Sequence, residues 1–210
     1  LQLLQDNFPA GACITLTPWE PAAVWPCLVA GLKHRPALLA IFVTRSTETT
    51  PDRQALGLPP PQVAARGLER WRQGDRSRRP YHGSLVLQGS DVALAFASEV
   101  LPKVDAEGLN MSISVVHSAE LFDLQDEARQ KQWFSDEDQA EAMGISGFTG
   151  PTLQRWVGSR TGRAFSLHAF SRGRYLGSGP AEAVLEEAGL DAASQWQAVL
   201  NYARHMEQRG

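Results

Sequence analysis

Cysteine is scarce in this sequence: Cys13 and Cys27 are the only two among 210 residues. Two thiols provide neither a disulfide framework nor the paired motifs of a structural zinc site. Both cysteines lie among apolar residues, so we expect buried, unreactive thiols in a reducing, cytoplasmic environment. The small disulfide-stabilised secreted domains are excluded by this scarcity.

Long apolar runs and an excess of basic charge are also missing. No stretch is apolar for long enough to span a bilayer, so we expect no membrane partner. The net charge of −3 and the isoelectric point near 6.0 argue against a nucleic-acid partner. The amino terminus lacks a secretory signal, and because it begins with Leu1 we expect the chain to lie inside a longer polypeptide.

The composition that remains is that of a globular protein, with 43% hydrophobic and 20% charged residues. The first elements predict a βαβ unit: a strand over residues 12–16, a helix capped by Thr17 with Pro18 in its first position, and a parallel strand over residues 37–44. The unbroken apolar run of the second strand is typical of a strand covered on both faces. Residues 45–62 contain four prolines and predict a surface linker.

Strands and helices alternate over the rest of the chain. Strands are predicted at residues 84–90, 111–117, 139–145 and 164–170, and helices at 91–103, from Ser118, from Pro151, from Pro180 and over 190–206. This order predicts a three-layer α/β/α domain. The arginine-rich segment RQGDRSRRP predicts a solvated hairpin loop, and the acidic residues between Asp123 and Asp138 predict a solvated helix-loop segment.

Three residues are candidates for a functional site. Arg45 follows an apolar strand, and its guanidinium either marks the surface or binds a phosphate or carboxylate in the cleft that strand ends form. His117 and His168 both close predicted strands, and the alternative for each is a hydrogen-bonded structural histidine. No pair of histidines has metal-ligand spacing, and no nucleophile elbow or phosphate-binding loop is present.

Three segments, taken in order, resemble transketolases. TPWEPAAVWPCLVAGLKHRPALLAIFVTR resembles the end of their pyrimidine-binding domain. The stretch beginning LVLQGSDV, with Ser118, Phe122 and Asp123 in a Ser-x-x-x-Phe-Asp pattern, resembles their C-terminal domain, and GSGPAEAVLEEAGL resembles a turn and helix of that domain. The resemblance implies that residues 1–48 end a pyrimidine-binding domain, that residues 49–64 are a linker, and that residues 65–210 form a transketolase C-terminal domain with a mostly parallel mixed sheet of about five strands.

The same resemblance implies a function. It implies a homodimeric transferase that moves a two-carbon ketol unit between sugar phosphates with thiamine diphosphate and a magnesium or calcium ion. Arg45 would contact the phosphate of the phosphorylated sugar, and the rest of the transketolase polypeptide would be the partner of this piece. The family's cofactor-activating residues are not in this sequence, so we expect the fragment alone to bind no cofactor and to be inactive.

Two alternatives stay open. One is the corresponding piece of a deoxyxylulose phosphate synthase or of the β-type half of an oxoacid dehydrogenase, although the Ser-x-x-x-Phe-Asp pattern favours transketolase. The other is a non-catalytic dimerisation or regulatory module.

Overall fold

The first two strands and the helix between them form a small βαβ unit. The computed structural model describes residues 1–5, 7–44 and 49–209. Strand β1 (Cys13–Leu16) pairs in parallel with β2 (Leu38–Ile41), and α1 (Pro21–Lys33) connects them. The predicted βαβ unit is therefore confirmed.

The second sheet has five strands, in the order β3-β5-β4-β6-β7. Its strands are β3 (Leu68–Arg72), β4 (Ser84–Gln88), β5 (Ser112–Val116), β6 (Ala142–Ser146) and β7 (Leu167–His168). Only the β3–β5 pair in this sheet is antiparallel. Strands β4, β5 and β6 are buried along their whole length, as predicted for a sheet covered on both faces.

Helices cover both faces of this sheet. One layer contains α2 (Ser90–Ala95), which continues through a π-helical turn (Phe96–Val100) into α3 (Leu101–Ala106), together with α8 (Ala181–Ala188) and α9 (Ala192–Glu207). The other contains α4 (Ala119–Asp123), α5 (Glu127–Trp133), α6 (Asp136–Ala140) and the 3₁₀ turn Gly150–Leu153. Helix α7 (Arg160–Phe165) follows β6. The three-layer α/β/α architecture with a mostly parallel mixed sheet is confirmed.

The start of α1 differs from the prediction. The sequence offers two prolines for the first helical position, and Pro21 occupies it rather than Pro18. Glu20 is the N-cap, with extended backbone angles of φ −143° and ψ 161°. Trp19 and Glu20 are almost completely buried, so tertiary packing of these two side chains decides between the two prolines.

The arginine-rich segment is not a hairpin loop, because β5 lies between β3 and β4 in the sheet. The segment crosses the end of β5, where the Asn110 side-chain amide donates to the backbone carbonyls of Asp75, Arg78 and Pro80. The predicted helix at Pro151 is a single 3₁₀ turn, and α7 was not predicted.

Strand β2, predicted to be covered on both faces, is open to solvent in the described chain. Leu38 and Ile41 are each 41% exposed, and Val43, just beyond the strand, is 56% exposed. On α1, Trp25 is 69% exposed and Leu32 is 56% exposed. We call these five side chains the α1–β2 face.

The other edge of the small sheet packs against the large one. The backbone N–H of Thr15 donates to Glu120 Oε2 over 3.0 Å, and the N–H of Thr17 donates to the carbonyl oxygen of His117 over 2.6 Å. The N–H groups of Thr15 in β1 and of Thr17 just after β1 are satisfied by these contacts. Without them, the same groups would be free to pair with a further strand. The small sheet therefore has its covered edge at β1 and its exposed apolar side at β2.

Candidate ligand-binding cleft at the strand ends

The carboxyl ends of β2, β4 and β6 border a common cleft between the two sheets. The chain leaves β2 through Thr44, leaves β4 through the Gly89 turn, and leaves β6 through Gly147. Gly89 has a φ of +106°, which side chains other than that of glycine rarely allow, and the turn places Ser90 at the cleft as the first residue of α2. Ligands of α/β proteins usually bind at such strand ends.

Two cavities in this cleft lie on either side of the segment that leaves β2. The first has a volume of about 270 Å³, and the second has a volume of about 320 Å³. Val43, Thr44 and Ser90 line both. The first cavity extends toward β6 and α8, whereas the second extends toward Trp19 and the start of α1.

The polar groups of the cleft are concentrated around Thr44. Its hydroxyl oxygen lies 2.9 Å from the hydroxyl oxygen of Ser90. Asp91 is the neighbouring carboxyl group. Burial raises the pKa of Asp91, and a hydrogen bond from the Thr44 hydroxyl offsets part of that rise. A partly buried carboxylate whose charge is offset only in part by a hydroxyl group accepts further hydrogen bonds readily.

Arg45, the predicted phosphate contact, lies outside the described residues. Thr44, the residue before it in the sequence, lines both cavities. The role of Arg45 therefore stays a prediction.

The side chain of His117 lines neither cavity. It follows β5, has no exposure to solvent, and its Nε2 lies 2.8 Å from Glu69 Oε2. Its second ring nitrogen, Nδ1, is buried and has no hydrogen-bond partner in the described part of the chain. This geometry joins β3 to the end of β5 and fits a structural histidine.

His168 is half-buried at the end of β7. Burial lowers the pKa of His168, which favours the neutral ring, and Nδ1 accepts a hydrogen bond from the backbone N–H of Phe170 over 3.3 Å. Its ring packs closely on Gly150, where an added Cβ would lie 3.0 Å from Nε2. The two histidine candidates are therefore not brought together with each other or with the cavities.

A buried charged cluster beside the second cavity was not predicted. Arg53 pairs with Glu20 at the start of α1 and with Glu69 in β3, and Glu69 in turn contacts His117. Burial raises the pKa of Glu20, and the Arg53 guanidinium opposes that rise. The sequence contains one signal for such a cluster: Glu69 lies within a strand between Leu68 and Trp71, both of which are buried.

Asp138 is a buried exception in the acidic segment predicted to be solvated, whose other acidic residues are exposed: Asp123, Asp126, Glu127, Asp136 and Glu137. Asp138 is 5% exposed and pairs with Arg70 at 2.9 Å and with Arg76 at 3.1 Å. Arg76 belongs to the RQGDRSRRP segment predicted to be a solvated loop, whereas Arg70 lies in β3. The partners are far apart in the sequence and meet only in the folded chain.

Over residues 1–5, 7–44 and 49–209, no three His, Cys, Asp or Glu side chains are arranged to hold a metal ion. In the same residues, no helix has the length and hydropathy needed to cross a membrane.

The fold and the cleft define an α/β protein whose strand ends face a ligand-sized opening. Transketolases are among the solved structures that share this fold, as the sequence resemblance predicts. Transketolase from Pichia stipitis in complex with sedoheptulose-7-phosphate superposes with a TM-score of 0.69 and 14% identity, over 94% of this chain and 26% of that chain. Transketolase from Leishmania mexicana superposes with a TM-score of 0.67 and 14% identity, over 93% of this chain and 26% of that chain.

A third structure is described as a split-gene transketolase, an inactive β4 tetramer. It matches with a TM-score of 0.58 and 15% identity, over 92% of this chain and 58% of that chain. No family model matches the sequence, and no curated protein does. The described chain thus has a transketolase fold and spans about a quarter of the length of the single-chain transketolases.

Proposed function

We propose that this chain is the carboxy-terminal part of a thiamine-diphosphate-dependent enzyme that transfers a two-carbon ketol unit between sugar phosphates. The supporting observation is the likeness to transketolases, which extends over both sheets and 94% of the chain. The proposed domain division is the one that the sequence predicts: residues 1–48, a linker at 49–64, and residues 65–210. A cytoplasmic location stays a prediction.

The pattern Ser-x-x-x-Phe-Asp has a structural basis in this chain. Ser118 is the N-cap of α4 and accepts a hydrogen bond from the backbone N–H of Leu121 over 3.1 Å. Phe122 is buried in the core. The pattern therefore specifies how α4 starts and packs after β5, which supports the fold rather than a chemical role.

The described residues do not fit a thiamine diphosphate site. Asp91 stands at the start of α2, where its carboxylate would repel a diphosphate. The described side chains also offer no three-ligand set for the accompanying magnesium or calcium ion. In our proposal the cofactor and its ion bind to the rest of the transketolase polypeptide, in a homodimer.

Within this proposal, Arg45 binds the phosphate of the sugar substrate. The second cavity is lined by Thr44 but not by Asp91, so a phosphate bound there would lie beside the residue that precedes Arg45 and outside the cavity that Asp91 lines. Arg45 follows Thr44 directly, and its guanidinium can bind a phosphate in a bidentate geometry. Binding energy gained at the phosphate would position the substrate without touching the bond that breaks.

The exposed α1–β2 face also supports a larger protein. Trp25, Leu32 and Val43 are each more than half exposed. Large apolar side chains exposed to this extent are typical of a surface that another polypeptide segment covers. The remaining length of a transketolase polypeptide would provide that segment.

The experiment replaces Arg45 by alanine in the full-length enzyme. We expect KM for a phosphorylated sugar to rise about 10- to 150-fold, because a charge-assisted hydrogen bond contributes about 1.5–3 kcal/mol. We expect kcat, and KM for a ketol donor without phosphate, to change little. Lys33→Ala, which removes an exposed cation from the end of α1, is the matched control.

The outcomes separate the alternatives. Equal KM values for Arg45→Ala and the wild-type enzyme would remove Arg45 from the substrate site and favour the non-catalytic module. Absence of any ketol transfer by the wild-type full-length protein supplied with thiamine diphosphate and magnesium would contradict the proposed reaction.

A further inference from the structure

We propose that the cavity of about 270 Å³ between Thr44 and α8 binds a small organic ammonium ion with an apolar body. The proposal uses only described residues and does not rest on the transketolase reaction. The volume of the cavity lies just below the usual range for small-molecule sites, about 300–1,000 Å³, so the cavity suits a ligand of a few carbon atoms.

The polar end of this cavity presents acceptors. Asp91 lines the cavity together with Thr44 and Ser90, and a carboxylate offers acceptors only. The 2.9 Å contact between the Thr44 and Ser90 hydroxyls uses one of their two protons, and either hydroxyl can be its donor. The Asp91 carboxylate and the remaining lone pairs of the two hydroxyls are the acceptors that this end of the cavity presents to a ligand. A ligand needs several donors to satisfy them, as an ammonium group has.

The rest of the cavity is apolar and aromatic. Phe42, at the end of β2, packs edge-to-face on Phe148, at the end of β6, with ring centroids 5.9 Å apart. Leu176, Leu185 and Leu190 form the wall on the side of α8. The leucines can cover an alkyl body, and the two phenyl rings favour a cation over an anion.

The charge of the cavity lining decides which head group a ligand can have. Among the described residues that line this cavity, Asp91 is the one with a charged side chain, and the partial positive charge at the amino terminus of α2, about half a unit, is smaller than the charge of a carboxylate. A carboxylate or phosphate ligand would meet the Asp91 carboxylate at close range, whereas an ammonium ion would pair with it. A neutral alcohol can donate one hydrogen bond but leaves the charge of Asp91 uncompensated.

The experiment titrates the protein with n-butylammonium and follows backbone amide signals by NMR, with 1-butanol and butyrate as comparison ligands of similar size. We expect saturable shifts for butylammonium at Thr44, Ser90 and Phe148. We expect binding at least about tenfold weaker for 1-butanol, and no saturable shifts for butyrate. Asp91→Asn should weaken butylammonium binding at least about tenfold.

Two further variants make the result decisive. Glu186→Gln removes an exposed carboxylate from α8 and should bind butylammonium like the wild type. Val184→Phe keeps Asp91 but places a phenyl ring in the cavity, so it should abolish butylammonium binding. This variant tests the proposal independently of whether Asp91→Asn folds. The proposal is overturned if wild-type protein shows no saturable shifts with butylammonium, if butyrate binds equally well, or if Val184→Phe binds like the wild type. Because no turnover is measured, none of these results bears on the proposed reaction.

Discussion

The Glu69 carboxylate and the His117 imidazole meet at 2.8 Å without any access to solvent. Glu69 lies in β3 and His117 follows β5, so the contact joins neighbouring antiparallel strands at their ends. The other Glu69 oxygen pairs with Arg53 and also accepts the indole N–H of Trp71 over 3.0 Å. The carboxylate is therefore satisfied only while all of these partners are in place.

Arg53→Ala should destabilise the chain strongly. The substitution leaves Glu20 and Glu69 buried without their guanidinium partner, and breaking a buried ion pair from one side costs about 3–5 kcal/mol. Urea denaturation followed by tryptophan fluorescence measures the loss. Arg129→Ala, which removes one member of an exposed pair with Asp126, should cost less than about 1 kcal/mol. Equal losses for the two variants would show that the buried cluster does not stabilise the fold.

Asp138 should make stability depend on pH. Burial alone would raise the pKa of Asp138, but Arg70 and Arg76 outweigh burial and hold it below its usual value of 3.8. A lowered pKa means that the carboxylate stabilises the folded chain fully above about pH 4. This contribution disappears as the pH falls through the folded-state pKa.

Asp138→Asn tests this dependence. At pH 7 the variant should lose about 3 kcal/mol of unfolding free energy, because Arg70 and Arg76 lose their shared buried partner. The difference from wild type should shrink as the pH is lowered below 4, measured by urea denaturation at each pH. Glu107→Gln, an exposed carboxyl change, is the control and should give no such trend. A difference that is constant between pH 7 and pH 3 would contradict the assignment.

The α1–β2 face should make the 210-residue chain bind apolar dyes and self-associate. Replacing Trp25 by Lys and Leu32 by Glu should reduce anilinonaphthalene sulfonate fluorescence and raise the monomer fraction, because it interrupts an exposed apolar surface. Light scattering after size-exclusion chromatography measures the second effect. Tyr175→Lys, a change at a residue that is 92% exposed outside this face, should alter neither. If Tyr175→Lys reduces dye binding as much, the face has no special role.

Local sequence patterns were sufficient to predict most strands of the five-stranded sheet. The buried runs of β4 and β5 and the Ser118 cap of α4 depend on neighbouring residues, and each was found from the sequence. The charged clusters depend on residues far apart in the chain. Taken alone, Arg70 and Asp138 are typical solvated charges, and only their mutual contact explains why both are buried.

The candidate cleft could be predicted only in outline. The sequence indicates that strand ends converge, because alternating strands and helices predict a parallel sheet. It does not indicate that Asp91 lies close to Thr44, since Thr44 follows a strand of the small sheet and Asp91 lies in the helix that follows a strand of the large sheet. The exposure of β2 was missed for a similar reason: an apolar run predicts burial, but no described residue packs over Leu38 and Ile41 closely enough to cover them.

The two thiols should be unreactive in the folded chain. Burial raises the pKa of Cys27 to about 12, and burial together with the nearby Glu120 raises the pKa of Cys13. The thiolate is the reactive form, so both changes slow the reaction with Ellman's reagent at pH 8. We expect no labelling of native protein on the timescale in which protein unfolded in guanidinium chloride reacts at both positions. Rapid labelling of one thiol in the native chain, with Cys27→Ala and Cys13→Ala identifying which, would contradict the burial of that residue.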